Sequence, residues 1–248
     1  MSFQQRKLKI LKLVEEKGEI DVKALAQHIG TSDITIRRDL GMLATEGLLA
    51  RTHGGAMRLD LLQTPVQFAQ KAVKNVAAKE YICRLAAQEI QDGDVIFMDC
   101  GSTTFQLCQF IRYKAIKVIT NSLPVANALL NTSVSINLIG GELDTERQAV
   151  HGKMAVEHIL RYQATKAFVG VDGLSVAKGL SAASEKEAEI TTAMASRATE
   201  TYLLCDTSKL EIDKYFQFAP LSIINIMVTD ASAAKIYPYQ QMGIRIIN

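Results

Sequence analysis

The residues best suited to binding chemistry form one short cluster, Asp99-Cys100-Gly101-Ser102-Thr103-Thr104. The apolar run before it, residues 95–98, predicts a buried strand, and the residues after it predict a helix through Phe110. A small-residue turn at a helix N-terminus presents backbone N–H groups and hydroxyls to an anion, and Gly101 permits close approach. The pattern indicates a phosphate-type site. A Ser/Thr cluster that only caps the helix is the plainer alternative.

Further polar clusters follow other apolar runs of the chain. These clusters are Asn121, Gly140-Gly141, Asp172-Gly173 and Asp206–Lys209. The runs that predict strands here are residues 117–120, 136–139, 167–171, 202–205 and 223–228. Strands alternating with helices imply a mostly parallel sheet, and such sheets bind ligands beyond the carboxyl ends of their strands. The clusters therefore predict a small anionic polar ligand at those ends.

The elements that hold these clusters occupy only part of the chain. Residues 1–58 contain 10 Lys and Arg against 7 Asp and Glu, a net charge of +3, whereas the whole 248-residue chain carries only +2. The first segment also reads as short helices without proline, unlike the strand-rich remainder. We predict a multidomain protein: a mainly α N-terminal domain over residues 1–58, a linker over 59–75 and a C-terminal α/β domain over 76–248.

Three short amphipathic helices are predicted in the first domain, over residues 4–16, 22–29 and 33–45. Asp21 is expected to cap the second helix, Gly30 to end it, and Thr31-Ser32 to cap the third. Burial of Ile36, Leu40 and Leu43 would turn Ile34, Thr35, Arg37, Arg38, Gly41 and Met42 outward. Arginine, threonine and an exposed isoleucine suit base edges and phosphates in a DNA groove.

A small hairpin follows the third helix. Residues 48–52, the glycines Gly54 and Gly55, and the residues after them predict a strand, a turn and a return strand, as in the wing of a winged helix-turn-helix. Arg51, His53 and Arg58 would then supply donors to phosphates. Two alternatives stay open: an outward charged face that is merely solvated, and a helix-turn-helix that contacts only protein.

The segments 35–40, Glu46-Gly47 and 51–56 together resemble the signature of the DeoR family of bacterial transcription regulators. Asp39 would repel DNA phosphates, so we expect it to pair with a neighbouring arginine or to cap the wing. The expected DNA contacts are Thr31, Ser32, Ile34, Thr35, Arg37, Arg38, Arg51, His53 and Gly54. The partner implied is double-stranded operator DNA, bound by a dimer or tetramer that represses a carbohydrate-metabolism operon.

The C-terminal half resembles the effector domain of the same family, which is similar to the ribose-5-phosphate isomerase and CoA-transferase fold. The resemblance implies a phosphorylated sugar as effector. It places effector contacts at Asp99, Gly101, Ser102, Thr103, Thr104, Asn121, Gly140, Gly141, Asp172, Gly173, Glu187, Asp206 and Lys209.

An active sugar-phosphate isomerase is the competing class. Isomerisation needs a carboxylate base and a group that stabilises the enediolate. The related isomerases carry a second acid where this chain has Ser175, three residues after Asp172. We therefore expect no enzyme, no catalytic residues and no cofactor.

Other function classes lack support in the sequence. The first twenty residues hold no apolar core typical of a signal peptide, and no apolar run approaches the roughly 18 residues of a membrane span. The cysteines, Cys83, Cys100, Cys108 and Cys205, form no CxxC pair and no zinc spacing. We expect buried thiols, no metal, no membrane and a cytoplasmic location.

Overall fold

The computed structural model describes residues 3–46, 48–52, 54–57, 71 and 73–248. The backbone divides into two compact units, Met1–Pro65 and Val66–Asn248. The division falls within the segment 59–75 that the sequence assigns to a linker.

The first unit contains three helices and a small sheet. Its helices are α1 (Phe3–Lys17), α2 (Val22–Ile29) and α3 (Asp33–Thr45), and its strands are β1 (Glu19–Asp21), β2 (Ala50–Arg51) and β3 (Gly55–Met57). The caps are the expected ones: Asp21 accepts from the amide of Ala24, Gly30 adopts a left-handed conformation, and Ser32 accepts from the amide of Thr35. Asp21 and Ser32 satisfy backbone donors that a helix start leaves without partners, and the Gly30 amide donates to the carbonyl of Ala26 at the end of α2.

The three helices pack around one apolar core. Ile10, Leu25, Ile36, Leu40 and Leu43 are fully buried in it. The sequence predicted Ile36, Leu40 and Leu43 on the inner face of α3, and their burial agrees with the 100° spacing of a helix.

One buried charge joins the first helix to the third. The Asp39 carboxylate is almost completely buried and accepts from Nε of Arg6 at 2.6 Å and from its Nη2 at 3.1 Å. A two-point arginine–carboxylate contact fixes geometry as well as charge. Asp39 thus pairs with an arginine, although the partner lies 33 positions away.

The wing hairpin, β2 with β3, belongs to a three-stranded antiparallel sheet in the order β1-β3-β2. No sequence pattern predicted β1, which pairs with β3, with Asp21 opposite Gly55. A Cβ atom at Gly55 would lie 2.1 Å from the carbonyl oxygen of Ile20. Gly47, His53 and Arg58, which the sequence placed at or near the wing, lie outside the described residues.

The second unit is built on a seven-stranded sheet. Its strands are β4 (Val95–Met98), β5 (Lys117–Thr120), β6 (Ser135–Leu138), β9 (Ala164–Val169), β12 (Ala198–Leu204), β14 (Ile226–Val228) and β15 (Arg245–Ile247). Every neighbouring pair is parallel, and the order across the sheet is β15-β14-β12-β9-β4-β5-β6. The mostly parallel α/β domain predicted from sequence is confirmed.

Helices cover both faces of this sheet. They are α4 (Val76–Gln88), α5 (Ser102–Ile111), α6 (Leu123–Leu129), α7 (Lys153–Ile159), α8 (Glu185–Ser196) and α9 (Ala233–Gln241). Ile96 and Met98 of β4 pack in one apolar cluster with α4 and α5, whereas Phe97 packs in the other cluster with α7, α8 and α9. Alternation along the strand therefore builds two cores, one on each face.

Smaller sheets that the sequence did not predict complete the unit. Strands β7 (Glu142–Asp144) and β8 (Ala149–His151) form an antiparallel pair. Strands β10 (Gly173–Ser175), β11 (Gly179–Ala182) and β13 (Phe216–Ala219) form an antiparallel sheet. Two short 3-10 helices, Thr207–Lys209 and Leu221–Ile223, follow β12 and β13.

Among the helices that the structure describes, none is long and apolar enough to cross a membrane.

Gly55→Ala should destabilise the first unit, because the added Cβ meets the backbone of β1 rather than a flexible side chain. Overpacking of this kind costs about 1–3 kcal/mol. Hydrogen exchange of α1–α3 in the full-length variant should accelerate. Gly54→Ala is the matched control, since its Cβ would meet nothing within 4 Å. Equal exchange in the two variants would contradict the close approach of β1 and β3.

Candidate functional site

The outward face of α3 carries the residues expected to read DNA. Ile34 is 80 % exposed, and Arg37 and Arg38 are also exposed. Thr35 is half-buried, and its hydroxyl lies 2.9 Å from that of Ser32. An exposed isoleucine beside two arginines suits a groove that offers methyl groups and hydrogen-bond acceptors.

Two flanking elements place further expected contacts at the surface. Thr31, in the turn before α3, is half-buried, and Ser32 is exposed while its hydroxyl caps that helix. Arg51 of β2 and Gly54 in the wing turn are both exposed. These positions surround the N-terminal end of α3 and the wing in the first unit.

The second unit contains a cavity of about 110 Å³ at the carboxyl ends of its central strands. The chain leaves β4 toward β5 and β6 on one side, while β9 leads to β12 and β14 on the other. The crevice between β4 and β9 is therefore the topological switch point, where ligands bind in open parallel sheets. A single water position needs about 10–15 Å³, so a small polar ligand can enter.

Asp99 closes the floor of this cavity. One carboxylate oxygen accepts from the amide of Gly101 at 2.9 Å, and the other accepts from the amide of Gly170 at 2.6 Å. Burial raises the pKa of the Asp99 carboxyl, and the amide donors of Gly170 and Gly101 moderate that rise. The side chain thus shapes the loop after β4 and links it to the loop after β9.

The N-terminus of α5 faces the cavity through Gly101, Ser102 and Thr103. The first amides of any helix lack acceptors within that helix, and the helix dipole adds positive potential there. Lys79 of α4 reaches the same place, because its ammonium donates to the hydroxyl of Ser102 at 3.0 Å. A cation beside a helix N-terminus is a suitable site for an anion.

The carboxylates of the cavity wall already have partners. Asp172 accepts from Nζ of Lys71 at 2.9 Å, and from the amide of Ala183. Glu187 lies 2.9 Å from Nη1 of Arg147. Burial raises the pKa of the Glu187 carboxyl, and the Arg147 charge opposes that rise. Because these carboxylates are paired, they do not neutralise the positive potential that Lys79, Lys209 and the α5 N-terminus present to an anion.

Asp206 orders the loop that carries Lys209. Its Oδ1 atom accepts from the amide and the hydroxyl of Ser208. Asp206 thereby caps a short 3-10 helix, Thr207–Lys209. The same oxygen accepts from Nδ2 of Asn75 at 3.2 Å. Lys209 therefore enters the cavity wall from a loop with fixed hydrogen bonding.

The structure brings most of the expected effector residues to this one cavity. The lining includes Asp99, Gly101, Ser102, Thr103, Asp172, Glu187, Asp206 and Lys209. Among the described residues, the lining does not include Thr104, Asn121, Gly140, Gly141 or Gly173. Three of these five have evident structural roles, which differ from the ligand contact expected of them.

Hydrogen bonds or close packing account for Gly140, Gly173 and Asn121. Gly140 and Gly141 follow β6, the edge strand, two strands away from β4, and the amide of Gly140 donates to His158 Nδ1 at 3.2 Å. A Cβ atom on Gly173 would lie 2.2 Å from the carbonyl oxygen of Ile212. Asn121 is fully buried and donates to the carbonyl of Val150 at 3.0 Å.

Several lining residues were not predicted from the sequence: Lys71, Lys74, Asn75, Lys79, Arg147 and Gly170. A sequence signal existed for Lys79, since it begins the helical stripe that continues with Ile82, Cys83 and Ala86, all buried. A lysine on an otherwise apolar face is unusual enough to suggest a site. No comparable signal marks Arg147, whose position depends on the turn between β7 and β8.

Both parts of the chain match known domains. Residues 6–61 match the DeoR-like helix-turn-helix domain, and residues 74–231 match the DeoR C terminal sensor domain. The chain belongs to the DeoR family. The DeoR sensor match contains every lining residue of the cavity except Lys71, and the DeoR helix-turn-helix match spans α2, α3 and the described part of the wing.

Two curated DeoR-type relatives align over nearly the whole chain. An HTH-type transcriptional regulator GlpR of Haloferax volcanii is 33 % identical over 92 % of this chain and 90 % of that protein. A lactose phosphotransferase system repressor of Staphylococcus epidermidis is 32 % identical over 89 % of each chain. Among solved structures, a ribose 5-phosphate isomerase A of Methanocaldococcus jannaschii aligns with a TM-score of 0.42 and 19 % identity over 57 % of each chain.

Asp99→Asn should destabilise the sensor unit. An amide group has one acceptor oxygen, so its NH2 would face the amide of Gly101 or Gly170, and one backbone donor would lose its bond. The expected cost is about 1–3 kcal/mol in the free energy of unfolding by urea. Glu189→Gln, at an exposed carboxylate of α8, is the control that should change little. Equal stability of the two variants would show that Asp99 does not join the loops.

Proposed function

We propose that the chain is a sequence-specific DNA-binding transcriptional regulator, a repressor of a carbohydrate operon, whose effector is a phosphorylated sugar. The observation that carries this proposal is the cavity at the β4/β9 switch point, where an α5 N-terminus meets Lys79 and Lys209. Family membership supports the DNA-binding half of the proposal. The relative named a lactose phosphotransferase system repressor supports the link to sugar metabolism.

The chemistry of the cavity supports a monoanionic or dianionic head group with hydroxyls attached. The helix N-terminus and the two lysines suit phosphate oxygens. The acidic wall of Asp172, Glu187 and Asp206 offers acceptors that suit sugar hydroxyls. A ligand that carries both features satisfies both sides of the cavity at once.

The state of Asp172 supports binding rather than isomerisation. Burial raises the pKa of Asp172, but the Lys71 ammonium, the Ala183 amide and the Lys209 charge together outweigh that effect and leave the pKa below its usual range. A carboxylate with a low pKa is a weak general base at neutral pH. Ser175, at the place of a second acid, donates to Asp213 at 2.7 Å instead. We therefore propose a sensor without turnover.

Oligomerisation is part of the proposal. A net charge of +3 on the 58 residues of one reading domain is small for tight binding, so two or four copies on one operator would combine their contacts. A ligand then controls DNA binding through its differential affinity for the two arrangements of those copies. Release of DNA on effector binding is the direction we propose.

Arg38→Ala should weaken operator binding, because a guanine or phosphate contact of an exposed arginine is worth about 1–3 kcal/mol for each recognition helix. The operator is a duplex selected from a random library by the wild-type protein, and the measurement is a gel shift at fixed salt. Arg112→Ala removes the same charge from an exposed position on the sensor unit and should retain wild-type affinity. Equal affinity of the two variants would remove α3 from the DNA interface.

Lys209→Met should weaken effector binding while DNA binding persists, because the variant removes a charge-assisted donor from the cavity. A bond of this type contributes about 1.5–3 kcal/mol, which is roughly tenfold or more in affinity. Thermal unfolding with inorganic phosphate and a panel of sugar phosphates measures the loss. Lys235→Met, at an exposed position of α9, is the charge-matched control. An unchanged shift in Lys209→Met would place the anion elsewhere.

A further inference from the structure

Lys79 is a buried lysine with two acceptors on different segments. Its side chain is 4 % exposed, and its ammonium donates both to the Ser102 hydroxyl and to the backbone carbonyl of Lys71. Burial lowers the pKa of this ammonium. Burying a cation costs free energy unless its N–H groups are hydrogen-bonded. The position of the Lys79 ammonium therefore depends on which acceptors lie in the cavity.

The carbonyl that Lys79 holds belongs to a segment of described residues that we call the strap, Lys71 with residues 73–75. Two further contacts hold the strap on the cavity wall. The Lys71 ammonium pairs with Asp172 at 2.9 Å, and the Asn75 amide donates to Asp206 and to Ser208. Asn75 itself adopts a left-handed conformation, with φ of 55°, directly before α4.

The strap has a particular place in the chain. It directly follows residues 58–70, which come after the wing strand β3 in the sequence. Any release of the strap therefore changes the length of chain available between the DNA-reading unit and the sensor unit. A longer connection lowers the effective concentration of one DNA-binding domain near its half-site.

We propose that Lys79 is the positioning residue that couples anion binding to release of the strap. An anion at the N-terminus of α5 attracts the Lys79 ammonium and draws it away from the Lys71 carbonyl. A phosphate oxygen is a charged acceptor and forms bonds about twice as strong as those of a neutral carbonyl. The ammonium therefore moves toward the anion, and the strap loses its bond to Lys79. This inference rests on the proposed effector site and adds the route by which its occupation reaches the connecting segment.

The experiment is hydrogen exchange of the full-length protein, read by mass spectrometry on peptides that cover residues 71–79. The probe is inorganic phosphate, at a concentration that saturates its thermal stabilisation of the same sample. In the wild-type protein, phosphate should accelerate exchange of the strap several-fold while the core strands β4 and β9 remain protected. A strap that is equally or better protected with phosphate would overturn the proposal.

Two variants separate coupling from simple packing. Lys79→Met fills a similar volume without the ammonium, so its strap should exchange fast even without phosphate, and phosphate should cause no further change. Lys235→Met removes an equal charge from an exposed position of α9 that does not line the cavity, and it should respond to phosphate as the wild type does. A protected strap in Lys79→Met would also overturn the proposal.

The outcomes distinguish this inference from the proposed function. If neither phosphate nor any sugar phosphate stabilises the wild-type protein, the effector site itself fails and the coupling fails with it. If phosphate stabilises the protein and the strap stays protected, only the coupling fails. The Arg38→Ala comparison tests DNA binding independently of both results.

Discussion

The Asp99 carboxylate accepts one backbone amide from each side of the sheet's switch point, and the shape of the sensor cavity depends on those two bonds. Gly101 belongs to the loop after β4, and Gly170 belongs to the loop after β9. The two strands are neighbours in space although about 70 residues separate their ends in sequence. With both loops fixed, the N-terminus of α5 points into the crevice, and a ligand pays little to order the site.

The charged side chains of the cavity wall fall into two groups, carboxylates that are paired within the protein and lysines that face the cavity. Each wall carboxylate has a partner: two amides for Asp99, Lys71 for Asp172, Arg147 for Glu187, and the Ser208 amide for Asp206. Such pairing satisfies these acids within the protein, so they do not cancel the positive field of Lys79, Lys209 and the α5 N-terminus. Lys79 links the N-terminus of α5 to the strap, because its ammonium donates both to the Ser102 hydroxyl and to the Lys71 carbonyl.

In the first unit, a buried ion pair joins two helices instead of lining a cavity. The Arg6–Asp39 pair joins α1 to α3 and removes the acid from the face that carries Arg37 and Arg38. A carboxylate on that face would repel DNA phosphates, so its burial serves both packing and electrostatics. The antiparallel pairing of β1 with β3 then anchors the wing to the start of α2, since the amide of Val22 donates to the carbonyl of Gly54.

Local sequence patterns determined the elements whose signals are strictly periodic or chemical. The caps Asp21 and Ser32, the inner face of α3, six of the seven strands of the parallel sheet and the polar clusters at Asp99–Thr103, Asp172 and Asp206–Lys209 were all predicted from such signals. Only the tertiary structure decided which strand ends meet. The order of strands places β4 beside β9 and leaves β6 at the edge, so Gly140 and Gly141 stay away from the cavity. It also brings Lys71, Lys79 and Arg147 from distant segments to the cavity wall. Strand order depends on non-local pairing and packing, which no single stretch of residues encodes, and the same reason hid Arg6 as the partner of Asp39.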